Sequence, residues 1–426
     1  MAEPSPVLRR ALATRVFLCF AAAYLLSYAS RSINAVIAPA LLAELGLSKA
    51  DLGLLSSAYL LSFAALQLPV GIWLDKYGPR KTEATLLLFA AAGAAIFASS
   101  TSLLGLWVGR ALIGGGVSAC LMAPFKAYRR GFPPERQSQV ASWMLVAGTS
   151  GVLAATVPVT AAMAVVGWRG VFWFMALLIL LAAAAIFLLL RDVECVNPAR
   201  PLTPSAGPGA RTGSREGYGR IFREAAFRRM ALLGMVNQGA FIALQTLWVG
   251  PWMTTVLKMS PAQTSRILFA FNFFLLLAYL GLGWWAPRHV SDDGKPGLTV
   301  SQVVSRGLLG TLLAQVAILT VTASWAWLLW IPFALFATVT TLLQARINLF
   351  FPDELTGRAN SLYNLVLFIG AFAVQWGVGG VIDAAARRGA TPTQAMQISF
   401  GLVLALQAVA LATFVASGRS ARPVAD

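Results

Sequence analysis

Apolar runs of roughly twenty residues or more, separated by brief polar or turn-rich stretches, recur along the whole chain. Wound as α-helix, such a run matches the hydrocarbon thickness of a bilayer, because each residue advances the helix by about 1.5 Å. Cutting the sequence at its polar stretches gives spans near 16–41, 52–74, 82–100, 103–127, 138–163 and 170–190, then near 226–253, 261–286, 303–322, 325–350, 359–383 and 395–417. The pattern predicts an all-α membrane protein of twelve transmembrane helices in two six-helix bundles, 1–190 and 224–426, joined by a linker over 191–223. Composition agrees: a chain of 426 residues that is 58% hydrophobic and 12% charged holds too much apolar side chain for one soluble core. Ala21 to Ala23 resemble a signal-peptide cleavage site, but the further spans argue against cleavage.

The formal charge of +17 would suggest a nucleic-acid partner in a soluble protein, so the placement of the 33 Lys and Arg residues decides between readings. With both termini and the linker assigned to the cytoplasm, the external segments hold Lys49, Arg169, Lys258, Arg266, Arg387 and Arg388. Arg31 and Arg110 fall inside spans, and the other cations are cytoplasmic. The positive-inside rule selects that orientation, with the lipid bilayer as partner, no nucleic acid, and a bacterial-type inner membrane as the expected location. The linker is rich in Pro, Gly, Ser and Arg, a composition that cannot bury a core. Cys19 and Cys120 lie in apolar helices, Cys195 is the odd third, and His289 is alone. No cluster has metal-ligand spacing, no phosphate-binding loop occurs, and neither metal nor cofactor is expected.

Between the second and third spans the sequence reads GIWLDKYGPRK, from Gly71 to Lys81. Gly71 and Gly78 permit a tight reversal and the cations hold the loop on the cytoplasmic side. The pattern formed by Gly71, Asp75, Gly78, Arg80 and Lys81 resembles the loop motif between helices two and three of the major facilitator superfamily. That resemblance implies the major facilitator fold, with Asp75 and its neighbours acting as a gating latch between the halves. An internal echo agrees with two related halves: Phe132-Pro133-Pro134-Glu135 follows span four, and Phe351-Pro352-Asp353-Glu354 follows span ten, at an offset of 219 residues. Lys126 and Arg346 precede the two copies and read as cations at cytoplasmic helix ends. The loop after span eight keeps Gly283 and Arg288 but has Pro287 in place of the aspartate, so any latch is asymmetric.

All sixteen acidic residues are placed in termini, loops or helix ends. The buried charges are instead Arg31 and Arg110, each costing about 2.5–3.5 kcal/mol at mid-bilayer unless water, a cavity or a partner relieves it. Arg31 lies ten residues before Leu41 and Arg110 seven after Leu103, about 15 and 10 Å from the outer helix ends. Tyr24, Ser27, Tyr28 and Asn34 recur with Arg31 at helical spacing, forming one polar-aromatic stripe. Span seven offers Gln238, Phe241, Gln245, Trp248 and Trp252, and span ten offers Thr340, Thr341 and Gln344. The superfamily resemblance implies that spans one, four, seven and ten line a central cavity.

The run Arg31-Ser32-Ile33-Asn34 up to Pro39 resembles span one of the organophosphate/phosphate antiporters and anion/cation symporters, in which an arginine meets the substrate's anionic group. The resemblance makes Arg31, Tyr24, Tyr28, Asn34, Arg110, Gln238, Gln245 and Trp248 the candidate binding residues for a small anionic solute. Arg31 also has a structural reading, pairing with a backbone carbonyl. Arg110 has two readings as well: it resembles the span-four arginine of the superfamily and is followed by Gly114 to Gly116, which allow close helix contact. The phosphate antiporters carry a second arginine on span seven where this chain has glutamines, which favours a monoanion such as a carboxylate over a phosphorylated metabolite.

The expected function is secondary transport of a small organic anion by alternating access, by a monomer and without enzyme activity. The alternatives are a drug or metabolite efflux pump, which would ordinarily show a Gly-Pro pair in span five and a membrane carboxylate, and a transport-inactive metabolite sensor.

Overall fold

The computed structural model describes residues 10–131, 134–191, 214–290, 297–351 and 353–419. Among them, nine helical stretches are long and apolar enough to cross a membrane. A tenth is added if Lys49–Ala65 and Gln67–Leu74, bent by 42°, form one span. The other two expected spans are broken into pieces. Span four is Leu103–Gly116 and Met122–Gly131, separated by turns, and span five is Pro134–Ala154 followed, after Ala155 and Thr156, by the start of Val157–Leu189. Span six is the part of that last helix beyond Gly167, where φ is +65°. Span one is also interrupted, as Arg10–Ser32 and Asn34–Leu45.

Several helix starts carry side-chain caps that the sequence reading did not single out. Ser260 with Gln263 and Thr299 with Gln302 form reciprocal capping boxes at the starts of Pro261–His289 and Val300–Thr320. Ser48 with Asp51 and Thr391 with Gln394 make the same pair of bonds before spans two and twelve. Each satisfies amide donors that the first helical turn leaves without intrahelical partners.

The chain divides into two compact units, one of residues 1–46 and 55–205, the other of 47–54 and 206–426. The division does not follow sequence order, because the first turn of span two groups with the second unit. There Asp383 accepts the backbone N–H groups of Lys49 and Ala50 at 3.2 and 2.7 Å, capping the helix from a distant part of the chain. Within the first unit, span one packs on five, and span three packs on four and six. Within the second, span seven packs on eleven, and span nine packs on ten and twelve. The same pairings, six spans apart, occur in both units. The Phe-Pro echo itself lies largely outside the described residues.

Gly78 is the hinge between spans two and three, with φ +80° and ψ 168° inside an otherwise continuous helical run, Gln67–Ser99. Only glycine adopts that conformation without strain. Gly71, by contrast, is helical, and a methyl added there would meet nothing. The tight reversal expected of two glycines therefore rests on one.

Candidate functional site

In the first unit, Arg31 occupies the last turn of Arg10–Ser32. Its guanidinium carbon lies 4.9 Å from the ring centre of Tyr28, 5.1 Å from Phe63 and 5.8 Å from Tyr59. The rings present their negative faces to the cation. The Tyr59, Tyr28 and Tyr24 hydroxyls are its polar neighbours. Tyr24 donates to Tyr28 across 3.1 Å, and the Tyr59 hydroxyl donates to the Ser27 carbonyl at 3.1 Å. Arg31 and Tyr28 are half-buried, while Tyr24, Ser27 and Asn34 are buried. The predicted stripe thus divides. Tyr28 and Arg31 remain accessible, and Asn34 turns to span two, donating to Ser56 at 2.7 Å.

Tyr59 and Phe63 completed this cluster without having been singled out in the sequence. They sit one turn apart on Lys49–Ala65, with stacked rings 6.2 Å apart. Their i, i+4 spacing is a sequence signal, but the face of span two that meets span one is set by packing alone.

Arg110 is fully buried in Leu103–Gly116. It donates to the Ser30 carbonyl at 2.9 Å, and its guanidinium carbon lies 4.9 Å from the Phe97 ring centre and 5.1 Å from Phe172. These contacts tie span four to spans one, three and six. Small residues bring span four close to spans two and three: a methyl on Gly109 would press on Phe97, and methyls on Gly114 and Gly116 would collide with the backbones of Tyr59 and Ala90.

Glu83 stands near the helix end at which the sequence placed it, but in surroundings the sequence did not foresee. It is fully buried within Gln67–Ser99, five residues beyond Gly78, and neither carboxylate oxygen has a hydrogen-bonding N–H or O–H partner. The Cys120 thiol and the Tyr128 phenol are its polar neighbours. The apolar run begins at Ala84, so the sequence places Glu83 at an edge. The helix resumes directly after Gly78 and carries it into the packed interior.

Of the gating residues, Arg80 donates to the Phe187 carbonyl at 2.6 Å with its guanidinium carbon 4.9 Å from that residue's ring centre, anchoring the hinge to span six. Thr82 bridges the hinge by donating to the Trp73 carbonyl at 3.1 Å, and Lys81 is exposed. Asp75 has a helical backbone, and its side chain lies outside the described residues.

In the second unit, span seven contains a π-helical turn, Leu244–Trp248, in which Val249 N–H reaches back to the Leu244 carbonyl. Pro251 has no N–H for the Leu247 carbonyl, and the helix widens before it. That turn directs Gln245 to donate to Asn272 at 2.8 Å and Trp248 to donate its indole N–H to the Gln375 carbonyl at 3.0 Å. Gln375 in turn donates to Thr246 at 3.2 Å, and Gln238 accepts from Tyr363 at 3.2 Å. Gln238 and Gln245 are half-buried. Trp248 and Trp252, expected on an accessible face, lie in the packed core, where Trp252 meets Phe400 at 4.6 Å between ring centres. On span ten, Thr340 and Thr341 bond back to Ala337 and Thr338 at the 3₁₀ turn Thr338–Thr340, and Gln344 reaches Asn364 at 3.5 Å. Among the described residues, no group of three or more His, Cys, Asp or Glu side chains is arranged to hold a metal.

Comparison with known proteins places this architecture. The chain is 25% identical over 274 residues to a "Probable L-galactonate transporter" of Escherichia coli (strain K12), covering 62% of this chain and 59% of that relative. It is 28% identical over 303 residues, 68% of each chain, to the "Probable sulfoacetate transporter SauU" of Cupriavidus necator. It is 27% identical over 214 residues, 49% of this chain and 52% of the relative, to the "Multidrug resistance protein MdtL" of Shigella dysenteriae serotype 1. The match to the galactonate relative thus spans less than two thirds of that protein's length. Among solved structures, a bacterial homolog of the human lysosomal transporter Spinster superposes with TM-score 0.74 at 14% identity, covering 97% of this chain and 98% of that one. The D-xylose-proton symporter gives 0.72 at 13% identity, covering 94% and 97%. At these identities the two structures establish the fold. The family model described as Major Facilitator Superfamily matches residues 20–374, most of the chain. A hinge loop of the expected pattern, the same helix pairings in two units and a family match of that extent lead to one assignment: the chain belongs to the Major Facilitator Superfamily.

Proposed function

We propose that the protein is a secondary transporter of a small organic anion, working by alternating access as a monomer in a bacterial-type inner membrane with both termini in the cytoplasm. The observation that carries this reading is Arg31, a half-buried guanidinium held by Tyr28, Tyr59 and Phe63 within a membrane span. A guanidinium presents a planar fork of donors that fits a carboxylate, sulfonate or phosphate through two parallel hydrogen bonds. The names of two relatives, for L-galactonate and sulfoacetate, are those of organic anions, which supports the same class. Residues 1–190 and 224–426 serve as the two moving halves and 191–223 as their linker, with Asp75 in the latch.

The test is a thermal-shift screen of purified protein against sugar acids, sulfonates, phosphate esters and lipophilic cations. Any anionic hit is then followed by counterflow in proteoliposomes. Stabilisation by anions with counterflow is the expected result. Stabilisation without counterflow would indicate a sensor, and stabilisation by cations alone would overturn the anion assignment.

A specific observation favours export as a second reading. A buried carboxylate, Glu83, near the start of span three, and a relative named for multidrug resistance support it. Under that reading Glu83→Gln abolishes export driven by a pH gradient while leaving binding intact. Under anion exchange it leaves transport unchanged.

A further inference from the structure

The second unit carries an open cleft of about 590 Å³ between spans eight, nine and ten, a volume in the range of small-molecule sites. Its walls are apolar, including Phe274, Phe336 and Val339, and no acidic side chain among the described residues lines it. Among the described residues its one charged side chain is Arg306, which is exposed. Arg306 lies six residues from the start of Val300–Thr320, and Trp285, also on the wall, lies four residues from the end of Pro261–His289, about 9 and 6 Å along their helices. Those two helix ends are tied together, since the Leu298 N–H donates to the His289 carbonyl at 2.9 Å. Cation and indole therefore sit at similar depths near one end of the cleft. From Trp285 the apolar wall continues eleven residues to Phe274, about 16 Å. At Gly281, midway along it, a side chain would meet open space.

An apolar trough facing hydrocarbon would be served by any lipid chain, and needs no charge. A single arginine with a tryptophan at the depth where spans approach the headgroups adds a requirement for an anion at that end. We propose that this cleft binds one anionic phospholipid, its phosphate on Arg306 and an acyl chain laid past Gly281 towards Phe274. A zwitterionic headgroup brings its own ammonium to the same point and offsets the attraction, so the site favours a net negative lipid.

The test uses the purified full chain in detergent, titrated with phosphatidylglycerol or phosphatidylethanolamine, with retained lipid read by native mass spectrometry. Wild type is expected to hold one phosphatidylglycerol in preference to phosphatidylethanolamine. Arg306→Gln removes the phosphate contact and Gly281→Phe fills the trough. Each is expected to weaken phosphatidylglycerol retention about ten-fold or more, for Arg306→Gln the scale of one charge-assisted hydrogen bond and for Gly281→Phe by occluding the acyl chain. Circular dichroism and size exclusion should be unchanged for both. If Gly281→Phe fails to fold, Gly281→Leu takes its place. Wild-type retention in either variant, or equal retention of the two lipids by wild type, overturns the proposal.

Discussion

Arg31 and Arg110 are both arginines inside membrane spans, yet their surroundings give them different expected roles. Arg110 is sealed between Phe97 and Phe172 with one bond to the Ser30 carbonyl. Its replacement by Met should therefore act on stability. The orphaned carbonyl alone costs about 1–3 kcal/mol, which should appear as a lower melting temperature of the purified protein, with the ligand class unchanged. Arg31 keeps an accessible face among tyrosines, so its replacement should act on affinity. Charge-assisted hydrogen bonds contribute roughly 1.5–3 kcal/mol each, and losing one or two weakens anion binding roughly ten- to several-hundred-fold or more. Arg31→Ala should nearly abolish binding. Arg31→Lys should retain part of it, because an ammonium is a point charge without the fork. The measurement is ligand affinity of wild type and both variants with circular dichroism as the folding control. An Arg31→Ala protein that folds and binds anions as wild type does would make this residue structural.

At the scale of an element, the hinge between spans two and three separates two glycines that look equivalent in the sequence. Gly78 has φ +80° and ψ 168°, a region costing about 1–3 kcal/mol for residues with a β-carbon. Gly71 is helical with open space around it, where alanine is favoured by up to about 1 kcal/mol. Gly78→Ala should therefore lower the melting temperature while Gly71→Ala leaves it equal or higher. Loss of stability at Gly71 as large as at Gly78 would refute this account of the hinge. The start of span two is capped locally by Ser48 and Asp51 and, from a distant part of the chain, by Asp383, which accepts from Lys49 and Ala50. Asp383→Ala removes a capping interaction of about 0.5–2 kcal/mol. Amide hydrogen exchange at Lys49 and Ala50 should accelerate relative to the rest of the helix. Unchanged protection there would mean that the cap does not hold the turn.

At the scale of the whole molecule, the helical class and most of the spans were legible because each rests on local chemistry. Twenty apolar residues have no alternative to a helix in hydrocarbon, where every backbone group must be satisfied within the segment. Capping pairs such as Ser260 with Gln263 mark where helices start, and the GIWLDKYGPRK hinge is a contiguous string. What the sequence left open is which side chains meet. Tyr59 and Phe63 joined Arg31 because one face of span two turns towards span one. Trp248 entered the core because a π turn ahead of Pro251 re-aims the residues before it. Glu83 became a buried carboxylate because the helix restarts at once after Gly78. In all three cases helical periodicity gives the relative directions of side chains on one helix, while the rotation of that helix against its neighbours is fixed by packing among residues far apart in the chain. Local chemistry therefore determined most of the spans, and only the tertiary structure decided where they break and which partner each polar group within them meets.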